Sequence, residues 1–379
     1  MFPAGTGGAP LTVTRLEIHD FRNYAEGELE LDTELTVVAG ANGAGKSNLL
    51  EGIYFGCTAH SPRTSNEREL VRRGASVTRV VLDTADVEGD HRVEVGFEPG
   101  EPKRLRVDGA QVDSLLGIGT RPLVSVFLPE RLELVKGAPA GRRAHLDRVV
   151  AALWPARAET RSAYARALAQ RNALLVRVRQ RLAGRDALDA WDAELARYGV
   201  QLMEDRREAA NGLRAPFSEL AERLGLPGRA ELRYRPRSDA SDASGLAAEL
   251  AERREADLER GFTAHGPHRD ELSLLLDGGS LRAYGSQGQQ RTALLALLFA
   301  ERGLLAERRD RPLLMLLDDV MSELDRDRRE LLAELLREGG QAVVTATEAD
   351  HVPGAALAGR GLVRVDNGRI MGGSRAVAA

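Results

Sequence analysis

The sequence predicts an α/β fold in which both ends of the chain build one domain and a helical domain is inserted between them. Three observations carry this. The run Leu35–Ala39 is short, apolar and β-rich, and a glycine-rich stretch leads from it into an apolar helix over about Lys46–Gly56, so a buried strand feeds a helix. A second very apolar run, Leu313–Leu317, ends in two aspartates near the other terminus. Between them, from about Leu134 to Phe262, the texture changes to Ala, Leu, Arg and Glu, the composition of packed helices.

The elements follow in order. Leu11–Asp20 alternates and reads as a strand, and Leu29–Leu31 as another. Val77–Asp113 holds short alternating runs broken by Gly, Asp and Pro, which predict antiparallel strands and hairpins; Leu123–Leu128 is a further apolar strand. In the helical stretch, Trp154-Pro155, Pro216 and Leu226-Pro227-Gly228 are expected to separate helices, and Arg237–Gly245 is a polar loop. Strand Leu272–Leu276, the turn Asp277-Gly278-Gly279, an apolar helix near Gln289–Leu305 and strand Leu313–Leu317 then return to the first texture. Gln341–Thr345 reads as the last strand before a tail.

Composition bounds the answer. A chain of 379 residues with 43% hydrophobic and 29% charged residues corresponds to two or three domains at ~150 residues each. The single cysteine, Cys57, excludes a disulfide framework and a multi-cysteine zinc site. No apolar run reaches the ~18 residues of a membrane span. The opening MFPAGTGGAP lacks a signal peptide's basic start and apolar core and reads as a floppy tail. A soluble, cytoplasmic protein is expected. Only Lys46, Lys103 and Lys136 are lysines among 53 basic residues, so an arginine cluster says less than usual and a lysine says more. The net charge of −4 gives no global attraction to nucleic acid.

Chemistry concentrates in three motifs. Gly40-Ala41-Asn42-Gly43-Ala44-Gly45-Lys46-Ser47 matches G-x-x-x-x-G-K-S between a strand and a helix. Glycines let backbone N–H groups turn around phosphates, and the helix start adds a favourable dipole. Lys46 is then a charge for the β/γ-phosphates and Ser47 a hydroxyl ligand for Mg²⁺. Asp318 ends the run Leu313–Leu317 as a further Mg²⁺ ligand, and Asp319 follows as candidate general base. Tyr284-Gly285-Ser286-Gln287-Gly288-Gln289-Gln290-Arg291 opens an apolar helix; Ser286 is either a second anion site or an ordinary N-cap.

In this order, with Ser322-Glu323-Leu324-Asp325 after the acidic pair, the motifs resemble the ABC-type ATPases, and Asp325 resembles their D-loop aspartate. Within that class the chain resembles the RecF family of bacterial DNA recombination and repair ATPases. The likeness rests on Asp20-Phe21-Arg22-Asn23-Tyr24, Gly40–Leu50 (with Asn48), Phe127-Leu128-Pro129-Glu130, Gly137–Asp147, Ala264–Leu272, Ser286–Thr292 and Leu317–Asp325. It implies an ABC-type ATPase head, a P-loop NTPase core with an antiparallel β-subdomain, formed by 1–133 with 263–379, and an inserted helical arm at 134–262. It also implies a head-to-tail dimer around two ATPs with Mg²⁺. Ser286, with Gln287, Gly288 and Gln289, would close on ATP held at Lys46 of the other protomer. Arg22 reads as a residue approaching the nucleotide or as a plain surface arginine.

Some features depart from the class. Asp319 stands where most members have Glu, and Thr345-Ala346-Thr347 occupies the region of the usual switch histidine. No glutamine lies between Gly56 and Ala110 to serve as the Q-loop residue. The shorter acid and missing histidine fit slow turnover, and a weak, DNA-stimulated ATP hydrolase is the expected activity. An insert of 129 residues is too short for the coiled-coil arms of chromosome-structuring relatives. Within it, Arg157, Arg161, Arg166, Arg171, Arg177, Arg179, Arg181 and Arg185 against Glu159 give +7 over Ala151–Arg185. That stripe is either a surface for duplex phosphates or a solvated helical face; Arg72-Arg73 and Arg142-Arg143 are weaker candidates. Aromatics at 4% argue against a single-strand stacking platform. The expected function is an ATP-dependent, dimerising, double-stranded-DNA-binding ATPase of recombinational repair, acting near single-strand gaps, with RecR and RecO as partners implied by resemblance. A transporter ATPase subunit and a non-turnover ATP-dependent scaffold are the alternatives.

Overall fold

The computed structural model describes residues 11–115, 118–309, 312–322, 324–355 and 361–371. The N-terminal stretch expected to be a floppy tail, most of the C-terminal tail and Glu323 lie outside them. In chain order the elements are β1 (Thr12–Phe21), β2 (Tyr24–Glu30), β3 (Leu35–Ala39), α1 (Lys46–Thr58), β4 (Thr78–Ala85), β5 (Asp90–Phe97), β6 (Arg104–Val107), β7 (Ala110–Val112) and β8 (Leu123–Phe127). Then come α2 (Glu133–Lys136), α3 (Pro139–Leu153), α4 (Ala158–Arg179), α5 (Ala187–Arg223), β9 (Ala230–Arg235), α6 (Ala243–Glu252), α7 (Arg254–Arg260), β10 (Glu271–Leu276), β11 (Gly279–Ser280), α8 (Leu281–Tyr284) and α9 (Gln287–Arg309). β12 (Leu313–Leu317), α10 (Arg326–Arg337), β13 (Ala342–Ala346), β14 (Leu362–Asp366) and β15 (Arg369–Met371) complete them.

The chain forms two compact units, residues 1–131 with 302–379, and residues 132–301. The first holds two six-stranded sheets. One is antiparallel, in the order β2-β1-β4-β5-β6-β7. The other, β15-β14-β3-β13-β12-β8, is parallel except for the edge strand β15. Its central strands β3, β12 and β13 are buried at every position, as parallel strands covered on both faces must be. α1 lies between the sheets. Gly52 approaches Ile18 and Phe21, and a side chain on Gly56 would collide with Leu82 at 2.7 Å. Leu49, Leu50, Ile53 and Phe55 join residues of both sheets in one core. The helix that carries the glycine loop is therefore fixed by apolar contact on two sides.

The second unit is helical with a small sheet, β11-β10-β9. β9 was not expected from sequence, and it accounts for the unit's extent. Its register with β10, from Ala230↔Leu276 to Arg235↔Glu271, draws 263–301 into the helical unit rather than the head. Pro216 does not break a helix, because α5 runs through it. Leu213, Phe217 and Leu220 stay buried on either side, and this apolar stripe outweighs one missing N–H. The chain also does not end its sheet at β13; β14 and β15 follow, and β14 pairs with β3.

Candidate nucleotide site and its relatives

The glycine loop runs from β3 to α1 along the parallel sheet's carboxyl edge, where ligands of open α/β sheets bind. Gly40 is required by space, since a Cβ there would lie 2.3 Å from the Val365 carbonyl. Gly45, at φ 117°, sits in the left-handed region and faces Asn23 and Tyr24. The Tyr24 hydroxyl, whose pKa burial raises, donates to the Gly45 carbonyl across 3.1 Å. Asn23 donates to the Ala44 carbonyl at 3.4 Å and accepts from Asn48 at 2.8 Å. The antiparallel sheet thus holds the loop in shape. Ala41, Asn42 and Gly43 at its tip are exposed.

Lys46 is buried, and its ammonium donates to the Gly40 and Ala41 carbonyls at 2.7 and 3.0 Å. Two of its three donors are met inside the loop that a phosphate would enter. The Ser47 hydroxyl donates to Asp318 Oδ2 at 2.6 Å. Thr345 donates to Asp318 Oδ1 at 2.6 Å and accepts from the Asp319 N–H at 2.9 Å. Asp319 has a left-handed backbone, φ 47°, a conformation that costs about 1–3 kcal/mol in a residue other than glycine. Lys46, Ser47, Asp318 and Asp319, found far apart in the sequence, therefore stand together.

Ser47 and Asp318 offer two hard oxygens, the donor set of a Mg²⁺ that takes its other ligands from water and phosphate. No cluster of three His, Cys, Asp or Glu suited to a metal occurs among the described residues, so an all-protein cage is not what this site provides.

Arg22 is not a plain surface arginine. Its guanidinium makes a two-point ion pair with the fully buried Glu51 of α1, at 2.8 and 2.7 Å. Ser61 and Arg63 also donate to Glu51, and Arg63 reaches Asn48 at 2.9 Å. This cluster anchors α1. Glu51 was missed in the sequence, although a lone acid on an apolar helix beside the glycine loop was a usable signal. In the sequence, Asn23 and Tyr24 stand out only through the family resemblance, and Thr345 only as occupying the place of the usual switch histidine.

Ser286 belongs to the helical unit, exposed at the start of α9. It accepts from the Gln289 N–H at 3.2 Å while Gln289 Oε1 accepts from the Ser286 N–H at 2.8 Å, a reciprocal capping box. Gln287 and Gly288 are exposed beside it, and Tyr284 is 84% exposed. Asp325 caps α10 by accepting from the Arg328 N–H at 2.9 Å.

The arginine stripe is not one face. Arg171 is fully buried, bound to Asp192, Asp257 and Thr263 at 2.5, 2.8 and 2.7 Å, and is not available to a phosphate. Arg157 pairs with Asp205 and Glu208, Arg161 with Asp147 and Arg185 with Glu255. Arg179 donates to the Glu259 carbonyl. Arg166, Arg177 and Arg181 are exposed and have no ion-pair partner among the described residues. Arg142 is buried against Glu271, Arg143 donates to the Asp270 carbonyl and Arg72 pairs with Asp20, whereas Arg73 is exposed.

Comparison with known proteins agrees with this architecture. A family described as "AAA domain" matches residues 15–119. The DNA replication and repair protein RecF of Streptomyces avermitilis is 40% identical over 92% of this chain and 96% of its own. That of Anaeromyxobacter sp. is 40% identical over 94% and 97%, and that of Chloroflexus aurantiacus 37% identical over 95% and 100%. A solved structure described as the recombination mediator protein RecF-ATP in the RecFOR pathway superposes with a TM-score of 0.87 at 27% identity, covering 97% of this chain and 99% of that one. An Smc head domain from Pyrococcus furiosus matches with a TM-score of 0.56 at 18% identity, which shows a shared fold. Identity of this level along nearly the whole length, joined to the site assembled around Lys46 and Asp318, makes the chain a member of the RecF family of DNA replication and repair proteins, built on an ABC-type ATPase head.

Proposed function

We propose that this protein is a slow ATPase that dimerises on ATP and holds double-stranded DNA during recombinational repair. The observation that carries the reading is the assembly of Lys46, Ser47, Asp318 and Asp319 at one sheet edge. It is joined by an exposed, capped Ser286 that is free to meet a ligand from outside. The relative solved as RecF-ATP supports ATP as the nucleotide.

In this reading, Lys46 leaves the Gly40 and Ala41 carbonyls for the β/γ-phosphates, and the loop N–H groups take the remaining oxygens. Ser47 and Asp318 hold Mg²⁺, which when bound neutralises charge on the phosphates. Asp319 orients the attacking water and accepts its proton. Ser286, Gln287, Gly288 and Gln289 of one protomer complete the site of another, with Asp325 near the same junction. Asp319 is one methylene shorter than glutamate, which suits slow turnover. Duplex DNA is held by charge without base readout, through Arg166, Arg177 and Arg181, the stripe members left unpaired; Arg171 has no part in it. The pathway named for the solved relative supports RecR and RecO as partners.

The test is molecular mass in solution with and without ATP-Mg²⁺ and duplex DNA, for wild type and Ser286→Arg. Wild type is expected to dimerise on ATP and the variant to stay monomeric while still binding nucleotide. A wild-type protein that stays monomeric with saturating ATP and duplex overturns the reading.

A further inference from the structure

We infer that Thr345 is the positioning residue of the hydrolytic site, its hydroxyl setting both aspartates of the Asp318-Asp319 pair. The inference deepens the ATPase reading and rests on it. Thr345 lies on β13, the strand between β3 and β12, and is fully buried. A hydroxyl has one proton and two lone pairs. Here the proton goes to Asp318 Oδ1 at 2.6 Å, and a lone pair accepts the Asp319 N–H at 2.9 Å. With Ser47 on Oδ2 at 2.6 Å, both oxygens of Asp318 are aimed by hydroxyl donors.

The second bond bears on Asp319. Its φ of 47° places this residue in the left-handed region, where a side chain is held only if its surroundings insist. The Thr345 bond to its N–H and the Ser322 hydroxyl bond to its carbonyl at 3.1 Å are the visible restraints. Because the direction of the Asp319 carboxylate follows from its backbone, the Thr345 hydroxyl governs where that group stands. Thr345 touches neither phosphate nor water in this account; it acts through its neighbours. Valine matches its shape without the hydroxyl, and serine keeps the hydroxyl.

Wild type, Thr345→Val and Thr345→Ser are compared in three measurements: steady-state ATP hydrolysis, equilibrium binding of a fluorescent ATP analogue with Mg²⁺ or with EDTA, and thermal unfolding. Thr345→Val should lose roughly 100-fold in kcat. Its analogue affinity in EDTA should stay within about threefold of wild type, while the gain in affinity on adding Mg²⁺ shrinks. Thr345→Ser should restore both. Unchanged kcat and an unchanged Mg²⁺ gain in Thr345→Val overturn the inference, as does a serine variant as impaired as the valine one. A wild type that binds the analogue without hydrolysing ATP sinks the ATPase reading instead, and the Mg²⁺ gain in the two variants then still decides the role of Thr345.

Discussion

The Ser47 hydroxyl donates to Asp318 Oδ2 across 2.6 Å, although the two residues are 271 positions apart in the chain. β3 and β12 flank β13 in one parallel sheet, so the loops leaving their carboxyl ends are brought side by side. In the proposed reading the oxygens of this bond are the two protein oxygens that would hold Mg²⁺. Ser47→Ala should leave nucleotide affinity in EDTA close to wild type and reduce the gain on adding Mg²⁺ by about tenfold. Titration of a fluorescent ATP analogue in the two buffers checks this. A full Mg²⁺ gain in the variant would remove Ser47 from the metal site.

Asp319→Asn keeps size and loses the proton acceptor. The Asp319 contact with Thr345 is made by the backbone N–H, so the substitution should not disturb it. ATP-dependent dimerisation is expected to persist, while kcat falls by roughly 100-fold or more. Repair assays in cells then separate a turnover switch from a static scaffold. If the variant supports repair as well as wild type, hydrolysis is dispensable.

Much of this site was legible in the sequence because its motifs are local. Gly40–Ser47 and Leu313–Asp319 each state their own strand and loop. What the sequence did not show was made by pairing over distance. β9 sits in helix-rich surroundings and becomes a strand by pairing with β10, where Tyr234 lies opposite Leu272. Pro216 reads as a breaker until the burial of Phe217 on the same helix is known. The arginine stripe looked uniform because charge counting ignores partners. Asp192 and Asp257, which occupy Arg171, lie 21 and 86 positions from it.

That difference among arginines is measurable. Arg171 is buried with two carboxylates, so Arg171→Met leaves Asp257 without its cation and Asp192 with Arg254 alone. A loss of about 3–5 kcal/mol in unfolding stability is expected. Arg166→Glu combined with Arg177→Glu touches exposed side chains and should change stability by less than about 0.5 kcal/mol. The double variant should instead weaken duplex binding and flatten its dependence on salt. Denaturant unfolding and DNA titrations at two salt concentrations check both halves. A double variant with wild-type affinity and salt slope would clear this helix of a DNA role.

His268 makes the helical unit sensitive to acid. Burial, the largest cause, lowers its pKa from 6.5 to about 4; the bond to the Thr263 carbonyl opposes this, and Arg269 and Arg143 add to it. Because that carbonyl only accepts, Nε2 carries the proton in the 2.9 Å contact. Nδ1 then accepts from the Tyr164 hydroxyl at 2.7 Å, so the neutral ring satisfies both partners. The folded state takes up a proton less readily than the unfolded chain, and stability therefore falls with falling pH. The contribution is complete above pH 6.5 and is lost as pH drops toward about 4. Between pH 7 and pH 5 this amounts to about 2 kcal/mol. Urea unfolding of wild type and His268→Gln at both pH values isolates the effect, because the other titrating groups are common to the two proteins. Wild type should lose about 2 kcal/mol more than the variant on acidification. Equal losses would mean that the ring is not held neutral between Tyr164 and Thr263.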